Sequence, residues 1–549
     1  MKKDDPFPRK VNPLPIAEVA DSIGIPQDRL IPYGRYMAKV DSRLLNDLMD
    51  DAGGRLILVT AMSPTPEGVG KTTVTIGLAQ SLKLLGHRAF ACIRQPSLGP
   101  FFGAKGGATG SGLSQAIPAE EITLQLTGDD YSTITAHNLI SSVLDNHIYH
   151  GNPLRVDPER ILWRRVSALN DRALRKVRVG AGTAFERDEE FHISAASEVV
   201  SALCLSLDIE ELKRRIGRMT LAFDRNGGIV TPVDLKVDGA ASALLKNALN
   251  PNLAQTVEGA PIFVHGGPFG NISIGCNSLI ATRMALGLAD YVVTEAGFST
   301  ELGAEKFFDI KCRVGGLKPS AVVIVATLGA LRLHGGAVDF KKSDISSSVR
   351  GLENLKRHID NIRKFSLPCM VALNRFDGDD GEETGEVIRR IRDYGVEAFA
   401  VDVRDEGGAG GLEAAVAIVD LCEMENGFKY LYDASLPIED KILLIAREMY
   451  GATSVVFTEE AQRDIRDMER LGFSALPICM AKTPKSLSDN PVLIGAPRGF
   501  SVTVDRVTVA SGAGFVVVHC GSVLLMPGLP IHPHAEGIDV DRDGDITGM

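Results

Sequence analysis

Short, unbroken apolar runs, each closed by glycine or charge, set the rhythm of this chain. Leu56, Ile57, Leu58 and Val59 form the first clear one. A run without polar alternation suits a strand buried on both faces. The glycine- and proline-bearing SPTPEGVG follows, then KTTVTIGLAQSLKLLG with apolar residues at helical spacing and Gly86 as its stop. HRAFACI resumes as a strand and ends at Arg94. Strand, glycine loop, helix and strand within about forty residues make a βαβ unit.

PIFVHGG, DYVVTEAG, SAVVIVATLGA and PCMVALNRF read as further strands of the same kind. Each ends in glycine, polar or charged residues, and open α/β sheets collect ligands at such strand ends. Helical patterns are expected over 151–225 and 342–364. Beyond Ile478, FSVTVDRVTVASGAGFVVVH alternates apolar and polar residues, which predicts antiparallel strands. No internal repeat or low-complexity tract interrupts this order.

At 549 residues the chain exceeds the roughly 250–300 that one core supports, so several domains are expected. With 44% hydrophobic and 23% charged residues it is neither disordered nor membranous in composition. No run approaches ~18 apolar residues, and MKKDDPFPRK has no apolar signal core, so a cytoplasmic protein without a membrane partner is expected. Eight scattered cysteines without a CxxC pair suit reduced thiols. A net charge of −11 argues against nucleic acid and leaves small-molecule substrates as the expected partners.

Chemistry concentrates in TPEGVGKTT (65–73), which lies between a predicted strand and a predicted helix. The general phosphate-loop pattern has glycine where Thr65 stands. Gly68 and Gly70 permit close backbone approach, and Lys71 supplies a point charge for β- and γ-phosphates. Thr72 or Thr73 can reach Mg2+, and the helix N-terminus favours anions. A second run, RQPSLGPFFGAKGGATGSG (94–112), carries five glycines between 103 and 112 that predict no packed element. It is either a backbone cradle, with Arg94 and Lys105 as charge partners for a transferring phosphoryl or acyl phosphate group, or a flexible surface loop. Glu295 either orders Mg2+ through water or is a capping or exposed residue. His265 is expected on a ligand-facing loop. Asn374-Arg375-Phe376-Asp377 has a superficial likeness to the base-reading Asn…Asp of GTPases, and Cys276 and Cys312 are expected to be buried.

These motifs, with LTGDD, NDRALR, FVHGGPFGN, GCNS, EAGFSTELGAEKFFDIKCR, KPSAVVIVAT, NRF, FKYLYD, MAKTPKSLSD and MPGLP, occur in the order of the formate–tetrahydrofolate ligases, which the chain resembles almost throughout. The resemblance implies an α/β fold: a P-loop NTPase-like parallel sheet with helices on both faces, plus two smaller α/β domains. It implies a nucleotide-binding domain begun in 1–150 and completed in 261–365, a helical or α/β insert at 151–260, and a C-terminal α/β domain at 366–549 with the acceptor site. Joints are expected near Asn152–Pro158 and in the Gly/Asp-rich 377–385. It further implies a homo-oligomer, tetramer or dimer, and a two-step reaction. ATP phosphorylates formate to formyl phosphate, and N10 of tetrahydrofolate captures the formyl group. Lys71 and Thr72 would hold ATP and Mg2+, with Thr65, Gly68, Gly70 and Thr73 lining the nucleotide. Arg94 would contact formyl phosphate, and a monovalent cation (K+ or NH4+) would activate.

Six motif positions depart from the family pattern. Val69 stands for Glu in GEGKT, Gln95 for Glu in REPSLGP, and Gln125 for His in LHFTGD. Tyr131 and Ile274 occupy two further histidine positions. Phe376 keeps one face of the folate clamp, but Arg404 replaces its tryptophan. Gln125 can only hydrogen-bond and Ile274 cannot titrate, while a guanidinium can still stack on a ring. Three functions follow: the ligase reaction itself, a paralogue using another acid or acceptor or releasing formate, or a non-catalytic nucleotide-responsive protein.

Overall fold

A computed structural model describes residues 12–48, 53–103, 109–183, 185–521 and 523–549. Twelve strands build the main sheet: β1 (Leu30–Tyr33), β2 (Met37–Val40), β3 (Arg55–Ala61), β4 (Ala89–Ile93), β5 (Gly110–Ser111), β6 (Ser114–Ile117), β7 (Asn252–Thr256), β8 (Pro261–Val264), β9 (Tyr291–Glu295), β10 (Ala321–Ala326), β11 (Cys369–Asn374) and β12 (Ala398–Val401). The path runs β1-β2-β7-β8-β4-β9-β3-β10-β11-β12, with β6 added to β7 and β5 to β6. From β8 to β12 along this path every pairing is parallel. β1, β2, β5, β6 and β7 add antiparallel neighbours, so the sheet is mixed and not the all-parallel one expected. The cause is local: β7 and β8 are joined by the short turn 257–260, and so short a link can only reverse the chain.

All four apolar runs named above are strands (β8 to β11), as is the run before the glycine loop (β3). β3 and β4 are joined through helix α1 (Lys71–Leu84) but do not pair, because β9 lies between them. Helix α1 is buried along Thr73–Leu82. At Gly77 a Cβ would lie 2.3 Å from Val403 Cβ, so only glycine lets the helix come this close to the segment after β12. Helix α2 spans Asp129–Tyr149, and α3 (Ile345–Lys364) matches the helical pattern expected there. Residues 377–385 lead into α4 (Gly381–Arg392), whose buried Glu383 takes both Arg332 Nε (2.8 Å) and Nη2 (2.7 Å). Among the described residues no helix is long and apolar enough to cross a membrane.

The helices expected over 151–225 appear only from Glu198 onwards, as Glu198–Leu205 and Ile209–Gly217. Before them lie short strands, Val156–Ile161, Val166–Ser167, Val177–Val179, Arg187–Glu189 and His192–Ile193. Ion pairs hold this polar stretch: Arg165 and Arg187 each bridge Asp145 on α2 and Glu189, at 2.6–2.9 Å. These charges are thus turned inward. In the C-terminal part, β13 (Ser454–Phe457) pairs in parallel with β15 (Ser501–Val504), and β14 (Ile478–Ala481) in parallel with β17 (Phe515–His519). Only β16 (Arg506–Ala510) and β17 form the expected antiparallel pair.

EAGFSTELGAEKFFDIKCR is buried along nearly its whole length, coiled as π-helical turns over Thr300–Ala304 and Phe307–Cys312. Its charged Glu301, Glu305, Lys306, Asp309 and Lys311 are all fully buried. Lys311 Nζ donates to Asn277 (2.9 Å) and Thr282 (2.8 Å), and Lys306 Nζ to the carbonyls of Gly270 and Asn271. Asp309 takes Arg313 and the Leu431 N–H, both at 3.0 Å. Among the described residues neither oxygen of Glu305 meets a donor, and its neighbour is the Asp309 carboxyl. Two facing carboxyls need a proton between them. Burial, and then the Asp309 charge, push Glu305 well above the ordinary carboxylate range. Asp309 also rises, but its arginine and amide make it the better seat for the negative charge, so Glu305 holds the proton.

The folded chain therefore binds one proton that the unfolded chain has released, and the stability it contributes is complete in acid and lost as pH rises towards the folded value. Thermal unfolding should show Tm falling in the wild type as pH rises above the ordinary carboxylate range. Glu305→Gln, which donates without a proton to lose, should flatten that fall.

Candidate functional site

Seven strands running one way bring their carboxyl ends to one edge, and the residues singled out above leave from it. Loop 62–70 follows β3, Arg94 and Gln95 follow β4, Glu295 ends β9, Asn374–Phe376 end β11, and Arg404 follows β12. Asn374 pairs with Val401, so Phe376 and Arg404 depart from adjacent strand ends.

The loop after β3 is pinned at both ends. Met62 N–H donates to Val325 O (3.1 Å) and Ser63 N–H to His358 Nε2 (2.9 Å). Asn354 Nδ2 donates to Ser63 Oγ (3.1 Å). Because Nε2 accepts, the His358 proton sits on Nδ1, which donates to Thr300 Oγ1 (2.7 Å). Burial lowers this histidine to about 4, so it stays neutral. Glu301 lies 3.6 Å from Nδ1 and itself pairs with buried Lys482 at 3.4 Å. Inside the loop Thr65 Oγ1 donates to Gly68 O (2.9 Å), and Gly68 and Gly70 take φ of 88° and 76°. At the far end Asn374 Nδ2 donates to Val69 O (3.1 Å).

Lys71 then opens α1 with Gly70 as its left-handed N-cap. Thr72 Oγ1 donates to Glu295 Oε2 at 2.9 Å. Glu295 is only 3% exposed, so it is neither surface residue nor cap. Thr73 Oγ1 meets Ser111 Oγ at 3.0 Å. The end of the glycine run is therefore ordered: β5 turns back on β6 and packs on α1, against the expectation of no packed element. Lys105 lies outside the described residues.

Arg94 Nη1 reaches Pro268 O at 3.5 Å, and its buried Nε has no partner among the described residues. A buried guanidinium N–H left open is donor capacity for an anion. Gln95 is held by its own N–H on Gly266 O (2.9 Å) and borders a cavity of about 20 Å³ with Ser97, Asp129 and Asp130. Gln125 is exposed at the C-terminal cap of Ala119–Leu124, Tyr131 is 74% exposed, and Ile274 is fully buried. His265 stands in the loop after β8, fully buried, and borders the same cavity as Gln95. Ser278 Oγ (2.6 Å) and Ala248 O (2.7 Å) occupy its two nitrogens, and burial lowers it to about 4. Asn374, engaged with the loop, is not free to read a base. Phe376 is 46% exposed, and the Arg404 carbonyl accepts from Leu113 N–H at 2.8 Å.

The sequence reading missed His358 and Asn354 as anchors of the loop. Their signal was present: Asn354, His358 and Asn361 recur at helical spacing on the same face of α3 as Leu355, Ile359 and Ile362. Polar residues on an apolar stripe mark buried partners.

A family model described as formate–tetrahydrofolate ligase matches residues 2–549, and the chain belongs to that family. The Thr72 contact can be tested without any substrate. Thr72→Val leaves the buried Glu295 oxygen without its hydroxyl and should cost about 1–3 kcal/mol in denaturant unfolding. Thr72→Ser should restore most of it.

Proposed function

We propose that this member of a family of carbon–nitrogen ligases using tetrahydrofolate and ATP joins formate to tetrahydrofolate in two steps at the carboxyl edge of the sheet. The formate oxygen attacks the γ-phosphorus of ATP, ADP departs, and formyl phosphate remains. N10 of tetrahydrofolate then attacks the formyl carbon, the bond from that carbon to the phosphate oxygen breaks, and the amine proton leaves with the phosphate. Phosphoryl transfer asks the protein mainly for position and charge neutralisation. Lys71, at the start of α1 beyond a loop closed by left-handed Gly70, would hold the β- and γ-phosphates. That arrangement is the observation that carries the reading. Arg94, with its open Nε, would take the acyl phosphate charge. Thr72 Oγ1 and Glu295 Oε2 are hard oxygens of the kind Mg2+ prefers, and the ion would neutralise phosphate charge when bound.

The acceptor would lie between Phe376 and Arg404, whose ring and guanidinium both offer flat faces to a pterin. Ile274 cannot titrate, Gln125 cannot act as a base, and Gln125 and Tyr131 face solvent. This supports sending the amine proton out with the phosphate, and not through a histidine. Arg404, in the tryptophan's place, also favours a second reading, in which a differently charged acid or acceptor is used.

Purified enzyme should release ADP only with both formate and tetrahydrofolate and should form 10-formyltetrahydrofolate. Lys71→Ala should lower ATP turnover by about a hundredfold or more, as expected on removing a transition-state charge partner. Arg404→Ala should raise KM for tetrahydrofolate and leave KM for ATP unchanged. ATP turnover with no formyl product would move the assignment to the second reading, and no turnover at all would leave a nucleotide-responsive protein.

A further inference from the structure

We propose that Asn374 is a positioning residue for the nucleotide, turning the Gly70 N–H towards the phosphates by holding the Val69 carbonyl from behind. This rests on the nucleotide reading of the loop. Asn374 is the last residue of β11 and only 4% exposed, and its backbone is locked in register with Val401. Its Nδ2 donates to Val69 O at 3.1 Å. Peptide planarity gives this contact its direction. In a trans peptide the C=O and the following N–H point opposite ways. With the Val69 oxygen drawn towards β11, the Gly70 N–H points away from β11. Backbone N–H groups aimed this way are what a phosphate cradle consists of.

Two further features make the contact specific. Val69 is itself 2% exposed, so the loop is anchored by a side chain as well as by its carbonyl. A Cβ on Gly70 would lie 2.5 Å from Asn374 Nδ2, so the carboxamide fills the space that a larger residue would claim. Gly70 and Asn374 thus form a matched pair, 304 residues apart in sequence (374 − 70). Two residues beyond Asn374 stands Phe376, so the same strand end supports both the phosphate loop and the aromatic proposed for the acceptor.

Asn374→Asp and Asn374→Ala separate this role from a merely structural one. At about pH 8 both should bind ATP about tenfold more weakly by calorimetry, with KM for ATP rising in parallel and KM for formate unchanged. An aspartate that takes up a proton can donate to Val69 O again, whereas alanine never can. At about pH 6, Asn374→Asp should therefore bind ATP more tightly than Asn374→Ala, which stays weak. ATP affinity equal to wild type in both variants overturns the role of Asn374, as does a loss of Tm with all three KM values unchanged. A wild-type protein that binds no ATP would instead overturn the nucleotide reading, and this inference with it.

Discussion

Parallel pairing is the constraint from which the rest of this molecule follows. A strand that runs beside its neighbour in the same direction must be reached by a crossover, which returns the chain to the same starting end. Seven such strands cannot avoid collecting their exits along one edge. Residues as distant as 65, 94, 295, 374 and 404 therefore leave from one edge without any of them having been adjacent in the chain. The crossover elements bury both faces, which explains why β3, β4, β9, β10 and β11 read as continuous apolar runs.

What was legible in the sequence was what depends on short-range pattern. β3, the glycine loop and α1 declared themselves through apolar runs, glycines and helical spacing, and so did β8 to β11 and helix Ile345–Lys364. What was not legible depended on partners far away. The strands between 156 and 193 hide their pattern behind arginines, and only Asp145 and Glu189 reveal that those arginines point inward. His265 is the loop residue it looked like, but its burial against Ser278 and Ala248 was not legible. Glu295 stood out at its strand end, but its placement against Thr72 needed β9 inserted between β3 and β4. No local signal encodes that insertion.

The departures from the family pattern divide along physical lines. Val69 is buried and offers its carbonyl, so its side chain serves packing where a carboxylate would need a partner. Ile274 likewise belongs to the core. Arg404, Gln125 and Tyr131 are solvent-accessible, and there a changed residue alters what is met from outside at little cost to the fold. Substitution has thus been absorbed by packing at Val69 and Ile274 and left open to solvent at Arg404, Gln125 and Tyr131.

The contacts that run from Ser63 to His358, and from Glu301 beside it at 3.6 Å to Lys482, have a consequence for how the chain is made. Synthesis delivers the loop and α1 early, but His358 follows Ser63 by 295 residues and Lys482 follows Glu301 by another 181. Until Lys482 has been made, Glu301 lacks the ammonium partner that it has in the folded chain. The root of the loop thus gains its last support only after residue 482. A prematurely terminated chain would carry the whole of TPEGVGKTT and still lack the internal charge balance that holds it.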